Sequence, residues 1–431
     1  MNKRKKCFII VLLVVLFLAS LACLKYYSSD NKLREGCTIM MVPVYGQSLA
    51  LGEEAQLVTN LDSLGIIYKN KIVSVYLDEK FGYYSNTIFK QNIKKMLNRK
   101  ARMFEISAYG LGEYTASRWI RNHCQDSIIS VFAEGQGNTS IDYLNTNSTP
   151  YHKLLDEIKN AYDVAYRKHC KLVIPAFCWL QGENDITHNN GKVYKQKLQH
   201  FRSVFERDVK SITLQGESVK CILYQSNCLS LSESKFNSLN YACPQIEVPQ
   251  AQMELVRDDE KFCASGPVYP YKVVREFVHI DGVSQKRLGY LEGISLQKVF
   301  SGQKSRGVTP SKFKVVGNNI FIDFNVESPP LKIDTNQVKL AKNYGFSVID
   351  KANKDILKNV LIKGNRVVLL CTTTPKECKV RYGVNGDYWK SGNRYGPRGN
   401  LRDNQGDHNK CIIQNNQYRI DNWAYMFDIF L

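Results

Sequence analysis

Four short apolar runs, each ending in a small polar loop, constrain the fold of this chain more than any other feature. They are Thr38–Val44, Ser127–Ala133, Lys171–Leu180 and Val219–Tyr224. Their hydrophobicity is continuous rather than alternating, which suits strands covered on both faces, as in a parallel sheet. Between them lie segments with a helical apolar stripe. Tyr151–His169 carries Leu154, Leu155, Ile158, Ala161, Tyr162 and Ala165 on one face, and Tyr194–Val209 is a second candidate. Strands alternating with helices predict an α/β sandwich. The loops are Tyr45-Gly46-Gln47-Ser48, Glu134-Gly135-Gln136-Gly137-Asn138-Thr139, Gln181-Gly182-Glu183-Asn184-Asp185 and Gln225-Ser226-Asn227. In open parallel sheets the crevice beyond the carboxyl ends of the strands holds the site, so these loops are expected to converge there.

Flanking segments set the organisation. Lys3–Lys6 precede an apolar run, Cys7–Leu24, the pattern of an export signal. The run is long enough to span a bilayer uncut, whereas Ser20-Leu21-Ala22-Cys23 resembles a loose lipobox with Cys23 as the lipidated residue. Either outcome places the rest of the chain outside the cytoplasm. After about Gly302, short strand-like stretches such as Asn319–Phe324, Arg366–Cys371 and Cys378–Tyr382 alternate with turn residues. The expected division is therefore an anchor over 1–29, an α/β domain over 30–301 and a smaller β-rich module over 302–431. In the loop Gly396–Gly406, Arg398 and Arg402 either touch substrate or, as is the commoner case, tie the loop down.

The formal charge of +19 favours anionic surfaces or substrates, but the basic residues are scattered and form no nucleic-acid module. No Cys or His cluster has metal-ligand spacing, so no metal site is expected. The 13 cysteines leave the disulfide pattern open, and Cys170 and Cys178 read as small apolar residues beside a strand.

Ser48 follows a strand and a glycine, where a hydroxyl is exposed on a sharp turn and sits at a helix start that favours negative charge. Capping of that helix by Ser48 is the alternative role. A base for it must be a histidine. His123, His152, His169 and His200 lie in or beside predicted helices. His279 follows the Pro-rich segment Gly266–Pro270 and precedes the helical stretch Val283–Phe300, and His188, behind the third loop, is its rival. Backbone N–H groups at Ser48 and Gly137 and the Gln181 amide are the donor types an acyl-transfer oxyanion needs, with loop bracing as the other role for Gln181.

The ordered blocks Gly46-Gln47-Ser48, Gly137-Asn138-Thr139-Ser140-Ile141, Trp179-Leu180-Gln181-Gly182-Glu183-Asn184-Asp185 and Val278-His279-Ile280 together resemble the SGNH hydrolase superfamily. They are most similar to its sialate O-acetylesterase and carbohydrate esterase family 6 branch, over about residues 38 to 300. The resemblance implies a three-layer α/β/α, flavodoxin-like fold, no cofactor, and hydrolysis of acetyl esters on sugars through an acyl-enzyme. It assigns Ser48 as nucleophile and His279 as base. Ser48, Gly137 and Gln181 would hold the oxyanion, and Gln47, Asn138, Glu183 and Asp185 would line the substrate. Three positions depart from the pattern. Leu49 stands in place of the usual Asn, Asn138 replaces a Gly, and Glu276 stands where an Asp three residues before the histidine is usual. Glu276 is the expected orienting acid, with Glu183 as an alternative and Asp281 less natural.

Three functions compete at this point. A carbohydrate O-acetylesterase leads, and the positive charge would suit an acidic glycan such as sialic acid. A lipid or general acyl-ester hydrolase of the same superfamily needs an apolar groove. An inactive glycan-binding surface protein is motivated by the three departures.

Overall fold

The computed structural model describes residues 38–60, 72–76, 84–85, 104–120, 127–167, 169–187, 190–227, 244–276, 278–387 and 390–431. The export segment therefore lies outside the described residues, as do His123 and His188. No helix among the described residues is long and apolar enough to cross a membrane.

The α/β architecture is as expected. Strands β1 (Thr38–Gly46), β2 (Ile72–Tyr76), β3 (Tyr84–Ser85), β4 (Ser127–Gly135), β5 (Lys171–Val173), β6 (Ala176–Leu180), β7 (Lys220–Gln225) and β8 (Phe262–Pro267) form one sheet. Its order is β3-β2-β4-β1-β6-β7-β8, with β5 also against β1, and every pair except β2–β3 is parallel. Burial is continuous along β1, so both faces are covered, and its side chains divide by parity. Ile39, Met41 and Tyr45 join a core with α2 (Thr149–Arg167), α3 (Gly191–Thr213) and α4 (Glu247–Asp258). Met40, Val42 and Val44 pack toward α1 (Ser107–Tyr114) and α5 (Gly282–Phe300). That alternation makes the three layers.

Two local differences from the sequence reading have clear causes. The single run Lys171–Leu180 is broken into β5 and β6 at Ile174-Pro175. Proline has no N–H for the ladder, and the Gln215 side chain replaces the lost partners, accepting from Ile174 N at 2.8 Å and donating to Ile174 O at 3.0 Å. Helix α1 carries no amphipathic stripe because all eight of its residues are buried. A helix covered on every side leaves no polar face for periodicity to reveal.

Beyond α5, the antiparallel strands Thr309–Val316, Asn319–Asn325, Leu357–Lys363 and Arg366–Cys371 form a four-stranded sheet. Phe346–Ile349, Lys379–Tyr382 and Phe427–Phe430 form a three-stranded one. This β-rich part shares a continuous apolar core with the α/β layers. The returning chain is also tied to β7, since the Gln225 amide donates to Met426 O at 2.8 Å and accepts from Met426 N at 2.7 Å.

Candidate active site

Strand β1 is the pivot of the sheet. The chain passes to β4 on one side and to β6 on the other, so the loops after these three strands share one crevice. The backbones there are too close for side chains. A Cβ on Gly46 would stand 2.0 Å from Leu180 O, which is why glycine ends β1. Gln47 N then donates to Leu180 O at 3.0 Å, fixing the turn that presents Ser48.

Ser48 opens a compact run of turns. Ala50 N donates to Gln47 O at 2.9 Å, and Glu53 N donates to Ser48 O at 3.0 Å. The run is braced from α5 by the Gln285 amide, which donates to Leu49 O at 2.9 Å. Leu49 itself is buried in the core beside α1 and α5, so the usual Asn at this place is exchanged for an apolar anchor. Among the described residues, neither the Ser48 N–H nor the Gly137 N–H has an acceptor. Both are open to a developing oxyanion.

His279 is held on a narrow loop. Val274 N donates to His279 O at 2.6 Å, Asp281 N donates to Lys272 O at 3.0 Å, and Val273 bridges Ile280. Asp281 caps α5, accepting from Ser284 N at 2.9 Å, so its carboxylate serves the helix. A Cβ on Gly282 would stand 1.8 Å from Gln56 O, so the helix start rests directly on the chain that follows Ser48. That close docking brings the histidine to the loop that follows Ser48.

The acid meeting His279 comes from that same loop. Glu54 Oε2 lies 2.9 Å from His279 Nδ1, and Glu53 Oε2 lies 3.9 Å from Nε2. Sequence reading missed both, because a contact across 225 positions leaves no local pattern. The glutamate expected to orient the ring, Glu276, is in the short turn Val274–Glu276, and its side chain lies outside the described residues.

The third loop behaves differently from expectation. The Gln181 amide donates to Thr139 O at 3.1 Å and also to Asp185, while Tyr194 OH donates to Gln181 Oε1 at 3.2 Å. Both amide hydrogens are committed, so in this arrangement Gln181 braces the second loop rather than offering a donor to an oxyanion. Asp185 is fully buried and accepts from Ile141 N at 2.8 Å, which removes it from the substrate surface. Glu183 does face the site chemistry. It accepts from Gln47 Nε2 at 3.0 Å and from Tyr224 OH at 2.5 Å. Burial pushes its pKa up to about 7, with Tyr224 and nearby His279 pulling the other way. Asn138 is exposed at the rim in a left-handed conformation (φ 54°), which asparagine tolerates nearly as well as the glycine usual there. Its Oδ1 accepts from Asn184 Nδ2 at 3.1 Å.

Asn227, at the end of β7, is a further residue that sequence reading left without a role. It is 1% exposed, and neither amide atom has a hydrogen-bond partner among the described residues. Gln47 Oε1 and Glu183 Oε1 are in the same condition. Buried polar atoms without partners are costly, and several on these loops suit a surface completed by substrate or water. Arg398 and Arg402 are loop ties: Arg398 Nε donates to Lys339 O at 3.0 Å and Arg402 Nε to Asp334 at 2.9 Å.

Residues 83–261 match the family described as carbohydrate esterase, sialic acid-specific acetylesterase. No curated protein sequence matches the chain. Among solved structures, a carbohydrate acetylesterase from Xanthomonas citri is similar, with a TM-score of 0.60 and 12% identity, covering 91% of this chain and 80% of that one. A protein from Arabidopsis thaliana matches with a TM-score of 0.40 and 12% identity, over 62% of this chain and 98% of that one. At 12% identity, the likeness to the Xanthomonas citri enzyme is one of fold. The chain thus resembles the sialic acid-specific acetylesterases over residues 83–261, and its α/β sheet has the SGNH-type fold of the Xanthomonas citri carbohydrate acetylesterase.

Proposed function

We propose that the chain is a serine-dependent carbohydrate O-acetylesterase. The observation that supports this most is the union, in one crevice, of Ser48, two unpaired N–H donors at Ser48 and Gly137, and a histidine whose Nδ1 is held by a carboxylate. His279 Nε2 takes the proton of Ser48 Oγ as that oxygen attacks the acetyl carbonyl. The carbonyl oxygen becomes the oxyanion and is bound by the two N–H groups. Collapse breaks the ester bond, and the sugar hydroxyl leaves with the proton from His279. Water, deprotonated by the same nitrogen, then cleaves the acetyl-serine to acetate and free Ser48.

Charge gives some guidance on the sugar. Glu53, Glu54 and Glu183 gather at His279, which favours a neutral sugar next to the ester, whereas the +19 net charge attracts an acidic polymer from a distance. Sialic acid is thus one substrate candidate among acetylated glycans. The basic and apolar N-terminal segment supports export and attachment to a membrane, where such glycans are met.

The test uses the full-length chain in mild detergent with O-acetylated sialic acid, acetylated xylan and a long-chain ester, and measures released acid. Acetate from either sugar, abolished in Ser48→Ala, is expected. Release from the long-chain ester alone would replace the carbohydrate by a lipid substrate. No turnover by folded protein would favour the inactive binding protein.

A further inference from the structure

The geometry points to Glu54, rather than the acid three residues before His279, as the residue that orients the catalytic imidazole. This rests on Ser48 and His279 acting as proposed above. Glu54 Oε2 is 2.9 Å from His279 Nδ1, within hydrogen-bond distance. A carboxylate only accepts, so Nδ1 carries the proton and Nε2 keeps its lone pair for Ser48.

The backbone supports the assignment. Glu54 is in the left-handed region (φ 64°), where a non-glycine residue is strained, and strain of this kind persists where the surroundings over-determine it. Four contacts do so here. Glu53 N is fixed to Ser48 O, and Ala55 N donates to Gly52 O at 3.0 Å. Gly282 lies against Gln56. The carboxylate of Glu105 closes the far end, accepting from Val58 N at 2.9 Å and Thr59 N at 2.8 Å. The nucleophile loop thus delivers both the hydroxyl and the acid that orients its base.

Charged groups around the ring agree with this role. On its own loop, Arg275 Nη1 stands 3.5 Å from Glu54 Oε1. Glu53 lies at the Nε2 edge, and its Oε1 would be 2.1 Å from a Cβ on Gly137, so it borders the oxyanion donor as well as the base. Glu183, on the third loop, is near enough to the ring for their charges to interact, while its hydrogen bonds go to Gln47 and Tyr224. Consecutive glutamates therefore flank opposite nitrogens, with Glu54 at hydrogen-bond distance from Nδ1 and Glu53 at 3.9 Å from Nε2.

The experiment measures kcat and KM for acetyl-ester hydrolysis by the full-length chain across the pH range of activity. The variants are Glu54→Gln, Glu54→Asp and Glu276→Gln, with Ser48→Ala as the control for the nucleophile. Glu54→Gln is expected to lower kcat by about a hundredfold or more with KM little changed. Loss of the carboxylate facing the ring is also expected to move the acid limb of the rate profile to lower pH. Glu54→Asp keeps the charge, recovers part of the rate and leaves that limb near its wild-type place. Glu276→Gln stays within a few-fold of wild type. Wild-type kcat with an unmoved acid limb in Glu54→Gln would overturn the assignment, as would equal losses in the Gln and Asp variants with no change in the profile. Activity surviving in Ser48→Ala would instead sink the serine mechanism itself, which keeps the two failures apart.

Discussion

The crevice at the end of β1 and the ionic cluster of the β-rich part use the same side chains to opposite ends. In the cluster, Arg402 Nε pairs with Asp334 at 2.9 Å and approaches Asp421 at 3.5 Å. Arg419 pairs with Asp334 and, at 3.2 Å, with Asp421. Burial would raise Asp334, but Arg419, the Gln337 N–H and Arg402 overcome it and hold the carboxyl at about 2. Acids and bases are matched there, apart from Asp421, which burial still raises. In the crevice, Glu53 and Glu54 lie against His279, Glu54 also stands near the exposed Arg275, and burial pushes Glu183 up to about 7. Matched charges hold a structure together, and unmatched ones store reactivity. Mutation separates the two by readout.

The largest contrast comes from Ser48→Ala. Rate is expected to fall by about 10⁴-fold or more, while the melting temperature moves little because only one oxygen is removed. Calorimetry beside the acetate assay checks it. A loss of stability as large as the loss of rate would mean that Ser48 braces the turn rather than attacks the ester.

Asp334→Ala is the reverse case. It leaves Arg402 without its closest carboxylate, and Arg402 is 6% exposed at its side chain. Breaking one partner of a buried pair costs about 3–5 kcal/mol, read by urea unfolding, with kcat of the remaining folded protein unchanged. The pH dependence has a definite sign. The folded pKa of Asp334 is depressed, so its contribution is present above about 4 and is lost as pH falls through about 2. A variant as stable as wild type at neutral pH would deny the cluster its structural role.

How far these two regions could be read in advance follows from the range of the interactions. Ser48 and the crevice were legible because β1, β4, β6 and β7 are local apolar runs and each polar loop follows directly on its strand. His279 came through its block resemblance. The braces were not legible. Gln181 was expected to bind an oxyanion, and its commitment to Thr139 depends on how closely β4 and β6 approach β1. Glu54 needed the docking of Gly282 on Gln56, a packing event with no periodicity. In the β-rich part, the loop-tying role of Arg402 is legible but its partners are not, because Asp334, Asp407 and Asp421 reach it from separate turns.

A smaller effect, and a finer test of the comparison, concerns a buried acid outside both clusters. Glu292 on α5 is fully buried. Burial pushes its pKa up to about 8, with only the neighbouring Ser107 hydroxyl opposing. With no ion pair among the described residues, it belongs with the crevice acids in direction and with the structural acids in position. Its folded pKa lies above the unfolded one. The stability it allows is therefore complete below about 4.5 and is lost as pH rises through about 8. Glu292→Gln cannot ionise, so it is expected to match wild type near pH 5 and to exceed it by on the order of 2 kcal/mol at pH 9. Thermal unfolding at the two pH values checks this. An equal gain at both would assign the effect to packing, and a loss at pH 9 would mean that a cation reaches Glu292 in solution. Because Glu292 is remote from Ser48 in the chain and absent from the contacts of His279, the pH–rate profile should not move with it. Should the profile shift, the separation between unmatched acids that react and unmatched acids that merely strain the fold would fail at this residue first.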